Sequence, residues 1–255
     1  MILVKLGGSV ITDKSQYQVV RLDVLRRLCG EMAGAEDIVV VHGAGSFGHI
    51  MAHEHRLSEG HRDASQIAAY AAVSRDVREL NLMVLDAMIE AGMRPVSLPP
   101  SACITLKDGK LEDFDAGLLH GYLELGMVPV LFGDVALDSV RGFAICSGDQ
   151  AMEHLAKELS PRRSIFVSDV DGIMDRDPGE PGAELLAAIT PDDLDSMTFH
   201  ARVKDVTGGI RRKVESMLSM CSPGMDCIII NGNAPGLLAD AIAGKEVRGT
   251  RVKVD

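Results

Sequence analysis

The sequence predicts an α/β fold, a three-layer αβα sandwich around a central, mainly parallel sheet, and three observations carry that expectation. Short apolar runs at residues 2–6, 38–41, 94–98, 128–132 and 164–168 read as strands buried on both faces. Segments with helical periodicity or helix-end signals lie between them, the alternation that places helices on both sides of a parallel sheet. Glycine follows several of the apolar runs, as expected where the chain turns from a strand's carboxyl end into a helix.

In chain order, residues 2–6 end in Gly7-Gly8, and residues 21–33 set Leu22, Leu25 and Leu28 on one helical face. The strand at 38–41 runs into a glycine turn at Gly43–Gly48, followed by a helical segment to about residue 55. A long helix is predicted over 64–91, closed by Gly92 and followed by Pro95. Residues 115–125 and 150–159 read as helices, residues 107–110 as a hairpin around an Asp-Gly turn, and residues 135–145 as a second hairpin. A helix at 210–220, a strand at 227–230, a helix at 237–243 and a strand near 250–254 complete the pattern. No repeat, low-complexity segment or linker interrupts it. Residues 1–255 therefore read as one domain, with lobes at 1–160 and 161–255.

Composition narrows the function. Apolar residues make up 46% of the 255, enough for a large core. The formal net charge is −11, Trp is absent and aromatics are scarce, which argues against nucleic-acid binding. Cys29, Cys103, Cys146, Cys221 and Cys227 are odd in number and form no C-x-x-C pair, so neither a disulfide framework nor a zinc site is expected. No run is long and apolar enough to span a bilayer, and the N-terminal apolar run reaches glycine too soon for a signal peptide. A cytoplasmic protein is the expectation.

The chemistry is read from the glycine turns: Lys5-Leu-Gly7-Gly8-Ser9, His42-Gly43-Ala44-Gly45-Ser46-Phe47-Gly48-His49, Gly133-Asp134, Ser147-Gly148-Asp149 and Thr207-Gly208-Gly209 leading to Lys213. A lone glycine usually marks only a left-handed residue or close packing. Gly43–Gly48 by itself fits three patterns: a dinucleotide G-x-G-x-x-G, a Walker A loop whose Lys is replaced by His49, and an imperfect nucleophile elbow at Ser46. Phosphoryl transfer accounts for more of the turns together, because it needs backbone donors and positive charge on the migrating group rather than covalent catalysis. Lys5 in an apolar strand, Lys14 in a polar loop and Lys213 early in a helix are the candidate cations, although Lys14 also reads as a solvated surface lysine. Of His42, His49, His53, His55 and His61, most read as surface residues; His49 stands apart, following the turn in the first turn of a helix where it could meet a phosphate. Ser168-Asp169-Val170-Asp171-Gly172 has a calcium-loop flavour without the required glycine and glutamate spacing, and reads better as a nucleotide-binding loop.

Taken together, residues 5–14, 41–49, 147–149, 168–172 and 205–213 resemble, in order, the motifs of the amino acid kinase superfamily, and most closely those of the isopentenyl phosphate kinase family, marked by a histidine at the position of His49. The resemblance implies ATP and Mg2+ as cofactors, isopentenyl phosphate as acceptor, isopentenyl diphosphate as product in an alternative mevalonate route, and a homodimer. It implies that Lys5, Lys14 and Lys213 neutralise the transferring group, with Asp149 orienting the lysines. Gly7, Gly8, Ser9, Gly45, Asp169 and Gly208 would bind ATP; Ala44, His49 and Gly148 would hold the acceptor phosphate. Ala44 stands where the family often has glycine, and Gln150 where a second acid is common, so Gln150 is assigned no role. For the acceptor's apolar tail, the long helix offers Tyr70, Val73 and Val77, although core packing explains most of that stripe. Fosfomycin kinase-like or uridylate kinase-like activity, a non-catalytic nucleotide-binding regulator and, more distantly, a Rossmann oxidoreductase are the competing readings.

Overall fold

A computed structural model of the chain describes residues 1–176, 182–196, 209–221 and 225–254, the side chains at 194–196 and 209–213 excepted. Its strands are β1 (Ile2–Leu6), β2 (Ile38–His42), β3 (Pro95–Ser97), β4 (Ile104–Lys107), β5 (Lys110–Phe114), β6 (Val128–Phe132), β7 (Asp134–Asp138), β8 (Gly142–Cys146), β9 (Arg163–Ser168), β10 (Ala188–Ile189), β11 (Asp226–Asn231) and β12 (Thr250–Val252). Its helices are α1 (Gly8–Ile11), α2 (Leu22–Met32), α3 (Gly45–Glu54), α4 (Ser65–Glu90), α5 (Pro100–Cys103), α6 (Ala116–Glu124), α7 (Gly148–Leu159), α8 (Pro191–Ser196), α9 (Gly209–Met220) and α10 (Leu237–Ile242), with a 3-10 turn at Leu57–Glu59. Among the described residues, no helix is long and apolar enough to cross a membrane.

Eight strands form one sheet in the order β10-β12-β11-β9-β1-β2-β6-β3. The pairs β9–β11, β1–β9, β1–β2, β2–β6 and β3–β6 are parallel, while β11 and β12 run antiparallel. The sheet spans both halves of the chain, since β9 from the second half pairs with β1 along its full length. A smaller sheet, β5-β4-β7-β8, is built from the two predicted hairpins; Asp108 and Gly109 at the first tip both have positive φ, the conformation that favours an Asp-Gly turn.

Strand alternation divides the core in two. Ile2, Val4 and Leu6 of β1 pack with Leu25 and Leu28 of α2 and with Leu80 and Val84 of α4. Leu3 faces the opposite side, with Met152 and Leu155 of α7 and with Val214 and Met217 of α9. Lys5 shares the Leu3 face by the same alternation, which aims its chain toward α7. A third apolar cluster joins Val73 and Val77 of α4 to Phe132, Val135, Phe143 and Leu57.

The glycine segment departs from its predicted outline. Gly43 and Ala44 precede α3, and its first residue, Gly45, still has the left-handed φ of a turn, 52°; Ser46–Gly48 are helical, and His49 follows them four residues past the helix start. The glycines there answer packing as well as turning. A Cβ on Gly8 would stand 2.5 Å from the Gly45 nitrogen, and a Cβ on Gly43 would stand 2.5 Å from the Gly8 nitrogen, so the turns after β1 and β2 touch backbone to backbone. A Gly43→Ala substitution is therefore expected to lower unfolding free energy by about 1–3 kcal/mol, read as a lower urea midpoint with an unchanged m-value.

Candidate active site

The site grows from the register of the sheet. Leu6 is level with His42, and His42 with Phe132, so neighbouring strands end together. One residue beyond, the backbone ladder continues: the N–H of Gly7 donates to Val167 O at 2.8 Å, that of Gly43 to Leu6 O at 2.9 Å, and that of Gly133 to His42 O at 3.0 Å. On the far side, Gly232 N–H donates to Ser168 O at 2.7 Å. The glycine turns, scattered in sequence, thus form a single row along the carboxyl edge of the sheet.

Besides the short α1, which starts at Gly8, two longer helices open on this row. A Cβ built on Gly133 would lie 3.3 Å from the Ala44 nitrogen and 3.6 Å from the Gly148 nitrogen. Ala44 caps α3 and Gly148 is the first residue of α7, positions whose N–H groups have no partner within the helix and carry the positive end of its dipole. Backbone nitrogens gathered this way at two helix starts are suited to hold an anion. The Lys5 stem lies beside them, its Cε 3.3 Å from where a Gly148 Cβ would stand.

The cations are held by carboxylates on the same edge. Lys5 is 7% exposed, and its ammonium group forms an ion pair with Asp149 in the first turn of α7. Lys14 is exposed but not solitary: its Nζ lies 2.9 Å from Asp169 Oδ2, and Ser9 Oγ donates to Asp169 Oδ1 at 2.9 Å. Burial works to raise the Asp169 carboxyl, but the bonds from Lys14 and Ser9 outweigh it and hold the group below the ordinary carboxylate value. Sequence reasoning assigned lysine orientation to Asp149 alone; Asp169 holds Lys14, because β9 ends directly beside β1. Lys213 lies on α9, but its side chain is outside the described residues, as is Gly208.

His49 is exposed on α3, four residues past the helix start. Behind it, Gly48 lets α3 approach α4: a Cβ there would stand 3.1 Å from Val77 Cγ1 and 2.7 Å from Ala44 Cβ. Val73 and Val77 are buried in the third apolar cluster, as core packing of the helix stripe implies. Tyr70 is half-buried beside them, its ring 5.2 Å from that of Phe143 and its hydroxyl 3.3 Å from Val135 O, to which it donates.

Three residues escaped the sequence reading. Thr12 is buried and joins the two glycine turns, donating from Oγ1 to Gly8 O at 2.7 Å and accepting from Ser46 N–H at 3.0 Å. Gln150 completes a capping box with Ser147 and donates to Gly109 O at 2.6 Å, so it fixes the start of α7 and ties it to the hairpin tip. Its Ser-Gly-Asp-Gln spacing was the available signal. His42 is not a surface residue: it is fully buried, stacked on Phe132 with ring centroids 5.2 Å apart. Its Nδ1–H is assigned as donor to Gly43 O at 3.0 Å, and its Nε2 then accepts from Asn81 Nδ2 at 3.1 Å.

The chain is similar to known proteins along nearly its whole length. The family model described as the amino acid kinase family matches residues 1–231. The isopentenyl phosphate kinase of Methanothermobacter thermautotrophicus is 41% identical over 263 residues, covering 99% of this chain and 98% of that one. That of Thermoplasma acidophilum is 44% identical over 250 residues, covering 96% and 97%. An X-ray structure of isopentenyl phosphate kinase superposes with a TM-score of 0.88 at 37% identity, covering 99% of this chain and 100% of that one.

Burial pushes the His42 pKa from 6.5 down to about 4, so the folded protein holds it neutral while the unfolded chain takes up a proton between those values. The unfolded state binds more protons in that window, so His42 makes stability fall as pH falls from 6.5 to about 4, by roughly 3 kcal/mol in total. Urea titrations across the window are expected to show that slope, and His42→Asn is expected to flatten it whatever its effect on stability at neutral pH.

Proposed function

Because the chain belongs to the amino acid kinase family and, within it, to the isopentenyl phosphate kinases, we propose that it transfers the γ-phosphoryl group of ATP to isopentenyl phosphate, giving ADP and isopentenyl diphosphate. The observation that carries the reading is the gathering of the Ala44 and Gly148 backbone nitrogens, at two helix starts, beside the Lys5 stem. In this reading the acceptor phosphate occupies that place with His49 donating a further hydrogen bond. The ATP phosphates lie along Gly7, Gly8, Ser9 and Gly45, with Asp169 and Gly208 at the nucleotide side. Residues 1–160 then supply the acceptor lobe and 161–255 the nucleotide lobe. Tyr70, Val73 and Val77 bound the side on which the apolar tail would lie.

An acceptor phosphate oxygen attacks the γ-phosphorus as its bond to the bridging oxygen of ADP breaks, with no covalent enzyme intermediate. What the protein contributes is alignment and charge. Lys5 between the two phosphate seats, with Lys14 and Lys213, offsets the negative charge on the migrating group. Asp149 keeps the Lys5 ammonium on the row of turns. Among the described residues no three His, Cys, Asp or Glu side chains gather as a metal site. Magnesium would enter with the nucleotide and add positive charge at its phosphates, needing no dedicated cage of protein ligands. The reading includes a cytoplasmic homodimer, testable by light scattering and cell fractionation.

An acceptor panel with ATP and magnesium tests the reading: ADP should form on adding isopentenyl phosphate, and turnover only with fosfomycin or a nucleoside monophosphate would reassign the acceptor. Tight ATP binding with no turnover on any acceptor would leave a regulator. Loss of a charge-assisted hydrogen bond in His49→Ala, worth about 2 kcal/mol, should raise the acceptor KM roughly thirtyfold with the ATP KM within about twofold. Equal losses for both substrates would contradict the assigned role.

A further inference from the structure

Lys14 sits in the loop between α1 and α2, whose base is closed by backbone bonds, Asp13 N–H to Val19 O at 2.8 Å and Arg21 N–H to Ile11 O at 2.8 Å, and whose tip, residues 14–18, lies beyond them. Asp13 turns inward on the loop itself, accepting from Ser15 N–H at 2.8 Å and from Gln16 at 2.9 Å. Among the described residues, two side-chain contacts tie residues 14–18 to the body: Lys14 to Asp169 at the end of β9, and Tyr17, whose hydroxyl donates to Asp76 on α4. Asp76 is 3% exposed and shares the inward face of α4 with Val73, Val77 and Leu80. A carboxylate on that face costs desolvation; the Arg75 guanidinium, 2.7 Å from Asp76 Oδ1, offsets part of that cost, and the Tyr17 hydroxyl takes the other oxygen. Burial and the Asp76 carboxylate push the Tyr17 phenol up to about 12, so it remains a donor at any working pH.

We propose that Tyr17 and Asp76 form a latch that positions Lys14, holding its loop across the gap between the nucleotide-side strand β9 and the acceptor-side helix α4. Tyr17 is a positioning residue that acts through Lys14, and the inference rests on the proposed phosphoryl transfer. The latch works from the acceptor side of the site: α4 also packs Val77 against Gly48 of α3, the helix that carries His49. A loop tied at both ends loses less conformational freedom when Lys14 meets the migrating phosphoryl group.

The test is steady-state kinetics with ATP and isopentenyl phosphate, alongside native-state trypsin cleavage after Lys14 followed by mass spectrometry. Tyr17→Phe and Asp76→Ala should each lower kcat about tenfold with both KM values within about twofold. Asp76→Asn should keep most of the activity, because its amide oxygen still accepts from the phenol. Adding Tyr17→Phe to Lys14→Ala should cost nothing further, and trypsin should cut Tyr17→Phe about tenfold faster than the wild type. An unchanged kcat in Tyr17→Phe overturns the proposal, as does an equal loss in the Lys14→Ala background, which marks general destabilisation. If the wild type forms no ADP with isopentenyl phosphate, the functional reading fails instead. The protease rates then decide the latch by themselves: faster cutting of Tyr17→Phe supports it, and equal cutting overturns it.

Discussion

The contact between the turns after β1 and β2 governs the geometry of the site. Adjacent parallel strands stand about 4.8 Å apart, so turns leaving both at the same level must pass each other with little room for side chains. Gly8 and Gly43 meet backbone to backbone, and Gly45 has a φ of 52° with Thr12 where its side chain would be. Only glycine permits that approach, and the left-handed dihedral costs it little. The consequence is chemical: turns without side chains leave backbone N–H groups at the surface of the row, and α3 and α7 start close enough to share one anion. Thr12 and His42 brace the arrangement from within, the first by bridging Gly8 to Ser46 and the second by bonding the Gly43 carbonyl.

Charge is then placed on that row by pairing. Lys5 occupies a strand position that alternation aims into the space under α7, where an unpaired ammonium would be costly. Asp149 meets it there, and the same carboxylate sits favourably in the first turn of a helix. On the other side of β1, Asp169 does the equivalent for Lys14 with far less burial, so that pair is more open to screening. An ammonium has three donor hydrogens, so neither carboxylate uses up its lysine's capacity.

Much of this was legible in the chain. The long helix was predicted over 64–91 and observed as Ser65–Glu90, because Gly92 and Pro95 are strong stop signals. The strand Val128–Phe132 appears with the predicted ends, and the Asp-Gly turn makes the expected hairpin. The start of α3 differs from the reading because every glycine there is taken as turn chemistry: Gly45, at φ 52°, does turn, whereas Gly48 is a helical glycine selected by its contact with Val77. His42 looked like one of several surface histidines; the one local sign that sets it apart from His53 and His55 is the apolar run 38–41 directly before it. Its burial comes from lying in a central strand opposite Phe132 and Asn81, which are distant in sequence.

By itself the sequence determined the alternation of strands and helices, the glycine turns, the family and hence the reaction class, because these rest on local periodicity and on motifs whose residues are contiguous. Which partners face each other was decided only in three dimensions. That Asp149 holds Lys5, that Asp169 holds Lys14 across 155 residues, and that Tyr17 reaches Asp76 all follow from strand order and register. Parallel neighbours are joined by long crossovers, so side chains that share one edge of the sheet are far apart along the chain, and no spacing in the sequence records their meeting.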